Sequence, residues 1–287
     1  MRSVNDFKDF ELIDADAGER LERWGDILLV RPDPQVIWNK GKSDGRWKDA
    51  AAVYHRSSSG GGFWEKKGFV PDSWTVSYGD LTFNLKPMGF KHTGLFPEQA
   101  VNWSLARKLI EQANRPVSVL NLFAYTGGAT VACLKSGASV THVDASRGMV
   151  TWAKENAVSS GVADRSVRWL VDDCVKFVKR EIRRGKKYDA IIMDPPSYGR
   201  GPSGEIWKLE QSLDELLCDV GKLLSNQPLF FMLNSYTGGL SPSILNYMVK
   251  TCVAPKGEGQ VSTDEIGLTV TKKDIVLPCG NTTVWTR

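Results

Sequence analysis

The chain has 287 residues, 41% of them hydrophobic, enough for one large domain with a smaller appendage. No apolar run reaches the roughly 18 residues of a membrane span, and the opening MRSVNDFKDFELIDAD has neither the apolar stretch of a secretory signal nor the acid-poor makeup of a transit peptide. The net charge of +4 does not by itself establish a nucleic-acid partner; five scattered cysteines without a CxxC pair and only three histidines argue against a disulfide framework or a metal centre and suit a reducing cytosol.

Charge is unevenly spread. Residues 1–37 carry five basic and nine acidic side chains, residues 38–91 nine basic and five acidic. In order along the chain, WGDILLVR (24–31) reads as a strand ending at Pro32, Ser57–Gly62 (SSSGGG) as a flexible loop, and WTVSYGDLTFNLK (74–86) as a β-hairpin turning at Gly79-Asp80. These predict a small, mostly β region over 1–94, with residues 95–287 as a second domain. Tyr54, His55, Arg56, Trp64, Lys66 and Lys67 suit either an RNA platform of stacking rings and phosphate contacts or the core of that small β region.

From Pro97 the periodicity changes. Residues 98–114 have helical spacing; SVLNLF (118–123), SVTHVD (139–144), VRWLVD (167–172), YDAIIMD (188–194) and PLFFML (228–233) read as buried strands. Helical segments follow them at GATVACLKSG, 147–159, up to about Arg184, 208–225 and 242–251, and GLTVT (267–271) and TTVWT (282–286) close the series. Alternation of this kind predicts an α/β fold, a mostly parallel Rossmann-like sheet with helices on both faces. KFVKREIRRGKK (176–187) sets seven cations against Glu181, as a polyanion-attracting patch or a solvated helix face.

Ligands of such sheets bind beyond the carboxyl ends of the strands. Four strand ends stand out. The first, Asn121-Leu-Phe-Ala-Tyr-Thr-Gly-Gly128, uses Gly127 and Gly128 for a tight turn, with or without a ligand. The second, Asp144, seventeen residues past Gly127, suits the two hydroxyls of a ribose, although an Asp before Ala-Ser146-Arg also caps a helix. Asp172-Asp173 is placed for the exocyclic amine of adenine or for a helix cap. Asp194-Pro195-Pro196-Ser-Tyr198 is the sharpest: two prolines fix an extended loop without backbone donors, so a carboxylate and carbonyl acceptors can grip an amine or a planar base edge.

These residues resemble the class I S-adenosylmethionine-dependent methyltransferases, and more narrowly the bacterial 23S rRNA cytosine-C5 and guanine-N7 methyltransferases. NLFAYTGGATVACLKSGASVTHVDAS resembles that group's glycine loop and second acidic strand, DPPSYGRGPSGEIWKLE its loop after DPP, and HTGLFPEQA (92–100) the segment leading into its cofactor pocket. The resemblance spans residues 85–235. It implies an S-adenosyl-L-methionine site lined by Gln99, Phe123, Tyr125, Thr126, Gly127, Asp144, Asp173 and Asp194, to which the strand tips add Asn121, Ser146 and Asp172. It also implies an RNA substrate in the cytoplasm. No membrane or metal is expected, and the sequence sets no oligomeric state.

Cytosine-C5 enzymes need a cysteine nucleophile, because C5 is not nucleophilic until a covalent adduct forms. Neither Phe231-Met-Leu-Asn-Ser-Tyr-Thr237 nor the flanks of Pro195 supply one, and Cys174 and Cys218 read as core residues. The expected chemistry is therefore in-line transfer, with Asp194 and the Pro195 carbonyl orienting an acceptor nitrogen or oxygen and Tyr198 packing on its ring. Arg200 and Lys208 are placed for a phosphate or the cofactor carboxylate, or are simply solvated. The alternatives are a methyltransferase of a non-nucleic-acid substrate and a nicotinamide-dependent oxidoreductase; YTGGAT lacks the G-x-G-x-x-G that the latter favours.

Overall fold

A computed structural model describes residues 1–57, 61–200, 206–254, 258–273 and 275–287, the Arg200 side chain excepted, so half of the predicted 57–62 loop, residues 58–60, lies outside the described residues. The chain divides into two compact units: residues 1–101 with 266–279, and residues 102–265 with 280–287.

The first unit opens with β1 (Arg2–Val4), β2 (Phe10–Asp16), β3 (Glu19–Trp24), β4 (Ile27–Pro32), β5 (Ala52–Arg56) and β6 (Gly62–Lys66), followed by β7 (Trp74–Tyr78) and β8 (Leu81–Leu85). Strands β2, β3 and β4 form an antiparallel meander; β5 joins β4 in parallel and β6 pairs antiparallel with β5. WGDILLVR is therefore two strand pieces rather than one: Trp24 ends β3 and Gly25, at φ +61°, turns the chain into β4. The β7–β8 hairpin is as read, turning at Gly79 (φ +57°).

Buried charge sets this unit apart. Glu22, wholly buried, accepts from Arg31 at 2.6 and 2.8 Å and from the Trp24 indole at 3.0 Å, and pairs with Arg20 at 2.9 Å. Burial opposes ionisation of Glu22, but Arg20 and Arg31 outweigh it and hold the carboxyl down at about 2.

The second unit takes up α1 (Ala100–Gln112) after its first turn. It continues through β9 (Ser118–Leu122), α2 (Gly128–Lys135), β10 (Ser139–Asp144), α3 (Arg147–Ser159), β11 (Val167–Val171), α4 (Cys174–Arg183) and β12 (Ala190–Met193). A short hairpin, β13 (Tyr198–Arg200) with β14 (Ile206–Lys208), leads into α5 (Leu209–Gly221), then β15 (Phe230–Ser235), α6 (Pro242–Cys252), β16 (Gln260–Val270) and β17 (Ile275–Thr286). The boundary between the units passes through β16 and β17.

In the second unit the strand order is β11-β10-β9-β12-β15-β17-β16, parallel from β11 to β15, with β17 antiparallel to β15. Alternate residues of each strand point to opposite faces. Leu120, Leu122, Ile191, Met193, Phe231 and Leu233 pack with α4, α5 and α6, while α2 and α3 lie on β9 and β10. Each of these buried side chains contributes about 1.5–3 kcal/mol. The predicted α/β doubly wound architecture is the observed one.

The expectation of unpaired cysteines is corrected at one pair. Cys218 on α5 and Cys252 on α6 have Cα atoms 4.4 Å apart and are joined by a disulfide. Thirty-four residues separate them, and only the packing of α5 against α6 brings them together. Among the described residues no helix is long and apolar enough to cross a membrane.

Candidate active site

Register across the parallel strands decides how the strand ends meet. Leu122 of β9 stands opposite Val143 of β10 and Met193 of β12, and Val143 stands opposite Leu170 of β11. The next residue on each strand, Phe123, Asp144, Val171 and Asp194, therefore forms one row at the carboxyl edge. Asp144 and Asp194 lie two strands apart, about 10 Å by the usual strand spacing. Between them, β9 and β12 are neighbours whose chains lead away in opposite directions, the reversal point where open α/β sheets bind ligands.

The loop after β9 is strained in a regular way. Phe123 (φ +54°), Tyr125 (φ +50°) and Gly127 (φ +81°) are all left-handed, a conformation costing a non-glycine residue of order 1–3 kcal/mol. The surroundings hold it: the Ala124 N–H donates to the Val143 carbonyl (3.1 Å), the Tyr125 N–H to Asp144 Oδ2 (2.8 Å), and Asn156 Nδ2 to the Thr126 carbonyl (2.8 Å). A Cβ on Gly127 would lie 2.8 Å from that of Ala153, and one on Gly128 2.7 Å from the Trp103 ring. Both glycines thus have a packing reason within the protein.

Asp144 accepts from Ser146 N–H at Oδ1 (2.8 Å) as well as from Tyr125, leaving one lone pair on each oxygen. Burial raises its pKa, and the two N–H donors oppose that rise. Ser146 is spent locally, its hydroxyl accepting from Met149 N–H (3.4 Å) to cap α3. Asp173 caps α4 through Oδ1 and Lys176 N–H (2.9 Å), leaving Oδ2 without a partner among the described residues; Asp172 pairs with Arg180. Asn121 is interior: its Nδ2 donates to Thr130 Oγ1 (2.9 Å), which also meets His142 Nδ1 at 2.9 Å. Gln99 is buried in a short 3-10 turn, Pro97–Gln99, of the first unit.

On the DPP segment, Asp194 is half-buried and its N–H reaches the Leu122 carbonyl (3.4 Å); Pro195 is buried, Pro196 and Tyr198 exposed. The loop after it is a β-hairpin, pairing Tyr198 with Lys208 across the strands. Its contributor missed by sequence reading is Trp207, whose indole N–H donates to the Pro196 carbonyl at 2.6 Å and whose ring lies 5.9 Å from that of Phe123. The Arg200 side chain lies outside the described residues. The basic 176–187 run is partly neutralised: Lys179 meets Glu215 (2.8 Å), Arg184 meets Glu181 (3.1 Å), and Arg180 meets Asp172.

The cysteines offer no nucleophile near the row. Cys174 Sγ is buried at the start of α4, accepting from Phe123 N–H (3.2 Å), and burial together with Asp144, Asp173 and Asp172 keeps its thiol protonated. Burial likewise pushes Cys133 up to about 12. Asp214 lies beside Cys218 and Cys252, a grouping whose ligand atoms fall within 4.8 Å of one another, but both sulfurs are tied in the disulfide.

Residues 38–232 match the family model described as S-adenosylmethionine-dependent methyltransferase. The chain belongs to that family. A crystal structure of a SAM-dependent methyltransferase from Agrobacterium tumefaciens is 35% identical, with a TM-score of 0.93 over 99% of this chain and 92% of that one. A Streptococcus mutans protein described as a candidate enzyme of the same class shares the fold at 16% identity, with a TM-score of 0.76 over 99% of this chain and 76% of that one. Among curated proteins, ribosomal RNA large subunit methyltransferase K/L of Shewanella frigidimarina is 36% identical over 163 residues, 56% of this chain but 22% of that protein. The chain thus spans about a fifth of the length of the curated relatives it matches.

The family's cofactor, S-adenosyl-L-methionine, suits the donor set. Asp144 has one lone pair left on each carboxylate oxygen, Asp173 Oδ2 can accept from an amine, and the left-handed loop brings backbone to the edge beside Asp144, between β10 and β12. Asp194 stands at the other end of the row, on β12.

Proposed function

We propose that this protein methylates a nitrogen of a base in RNA, with S-adenosyl-L-methionine as donor. The observation that supports the reading is the row Val171–Asp144–Phe123–Asp194, in which Asp144 and the DPP carboxylate stand on either side of the loop after β9. The cofactor supplies a methyl group on a sulfonium whose leaving thioether is neutral, so no general acid is needed.

What the chain supplies is position and dryness. Asp144 and Asp173 hold the nucleoside part, while Asp194 accepts from an N–H of the acceptor amine and aims the nitrogen lone pair at the methyl; the N–C bond forms as the sulfonium C–S bond breaks, and the proton shed by the methylated nitrogen passes to Asp194. The Pro195 carbonyl offers a second acceptor, and the exposed Tyr198 ring covers the base. Protonated, buried cysteines favour nitrogen over cytosine C5. The rRNA methyltransferase name of the curated relatives supports an RNA substrate in the cytoplasm, and Arg200 and Lys208 are proposed to contact phosphate. Residues 1–94 are proposed as the substrate-recognition region, with 95–287 as the catalytic domain.

The test is transfer of labelled methyl from cofactor to fractionated cellular RNA, protein and small molecules. Label in RNA, lost in Asp194→Ala while calorimetric cofactor binding persists, is the expected result. Label confined to protein or small molecules would replace RNA as the substrate.

A further inference from the structure

The first unit contains a cavity of about 400 Å³ between β5 and the segment after β8, lined by Tyr54, Arg56, Phe90, Lys91 and His92 among others. Its volume is within the roughly 300–1,000 Å³ of ligand pockets. Its chemistry is mixed in a specific way. Tyr54 forms a rigid floor: its ring packs edge-on to Trp64 (5.3 Å), and its hydroxyl donates to the Gly89 carbonyl (3.3 Å). Phe90, with no polar group of its own, is 61% exposed.

Four cations, Arg20, Arg31, Arg56 and Lys91, gather in this region, where Glu22 and Asp33 are taken up by Arg20 and Arg31. Burial first, and then Arg20, Arg31 and Arg56 with Asp33 opposing, depress Lys91 to about 8, and of these cations Arg20 and Arg31 are already paired with Glu22. Its ammonium donates to the Pro32 carbonyl (3.2 Å). Arg56 has no carboxylate partner among the described residues. Burial, Arg31, Lys91 and Arg20 hold His92 near 3, so its imidazole is neutral at pH 7 and can donate or accept at a base edge. An exposed ring beside two cations in a positive field is a combination that neither a bare anion nor an apolar ligand uses in full. A nucleotide uses both, stacking its base and neutralising its phosphate.

We infer that this cavity binds one nucleotide of single-stranded RNA, the base stacking on Phe90 and the phosphate lying between Arg56 and Lys91. The inference rests on the RNA reading above and adds a recognition site to it. The electrostatic share requires affinity to fall with salt, and the Arg56 share of that slope to vanish when the charge is removed.

The experiment is fluorescence anisotropy of labelled single-stranded RNA on the full chain with cofactor, across a salt series. Arg56→Ala and Phe90→Ala, both at exposed positions, are expected to weaken binding roughly tenfold each, and Phe90→Tyr to restore it. Calorimetric cofactor affinity and melting temperature should not move. Unchanged RNA affinity in both variants, with wild-type methyl transfer to RNA intact, overturns this pocket and leaves the RNA reading standing. Failure of the wild type to bind or methylate any RNA, with cofactor still bound, overturns both. Competition by tripolyphosphate as strong as by RNA, together with full affinity of Phe90→Ala, makes this a bare anion site and overturns the nucleotide assignment.

Discussion

Gly127 shows how one atom can be excluded twice. Its φ of +81° disfavours any side chain, and the Cβ it lacks would sit 2.8 Å from Ala153 on α3. Gly127→Ala should therefore cost about 2–4 kcal/mol, the left-handed penalty plus overpacking. Gly161, at φ +66° with nothing within 4 Å of its missing Cβ, carries the first penalty alone. Gly161→Ala should cost about 1–2 kcal/mol. Urea unfolding of the pair checks this: equal losses would remove the packing role of Gly127. A second residue-scale effect is titration. Burial holds His142 near pH 3, and burial with Arg31, Lys91 and Arg20 does the same to His92. Above pH 6.5 both states are neutral; between 6.5 and 3 the unfolded chain takes up protons that the folded protein refuses, so stability falls as pH falls. The slope is about 1.4 kcal/mol per pH unit for each histidine, roughly 2 kcal/mol each between pH 7 and 5. His142→Gln should remove about half of that drop in urea titrations at the two pH values, and an unaltered drop would show that the ring protonates in the folded state.

At the scale of elements, the hairpin β13–β14 does what two prolines alone do not. The prolines stiffen the DPP segment, but the Trp207 indole fixes which way the Pro196 carbonyl faces. Trp207→Phe keeps the ring near Phe123 and deletes the donor. Losing one such bond, about 0.5–1.5 kcal/mol, should lower kcat several-fold to about tenfold while leaving calorimetric cofactor affinity unchanged. Equal losses in kcat and cofactor affinity would instead mean that the hairpin shapes the cofactor pocket. Sequence reading placed the strand ends well because β9, β10, β12 and β15 are short apolar runs between helical periods, and a parallel sheet buries both faces of such runs. The hairpin was invisible because YGR and IWK are three residues each, too short for a period of two. The left-handed Phe123 and Tyr125 left no trace either, since large side chains ordinarily avoid that conformation. β2 and β3 escaped for another reason: Asp14, Asp16 and Glu22 are buried charges, so polarity along those strands does not mark which face is outside.

For the whole molecule, the division of labour between charge and apolar burial differs from unit to unit. The second unit is held by a layered apolar core of Leu, Ile, Val and Phe, and its hydrophobic pattern along the chain is correspondingly legible. The first has an apolar interior of its own, with Leu12, Trp24, Leu29, Leu81, Phe83 and Leu85 all buried, and adds to it a buried ionic group, with Glu22 between Arg20 and Arg31 and Arg20 also 3.2 Å from Asp33. Removing one member leaves the others buried without compensation, so Glu22→Gln should destabilise by about 3–5 kcal/mol even though the side chain keeps its size. The loss has an address. Residues 266–279 are distant in sequence from β2 and β3, yet belong to the same compact unit. Hydrogen exchange on Glu22→Gln should then show amide protection falling in residues 1–101 and, with them, 266–279, before it falls in 102–265. Loss confined to 1–101, with 266–279 as protected as before, would mean that the C-terminal segment opens with the other unit and that compactness does not mark the cooperative boundary here.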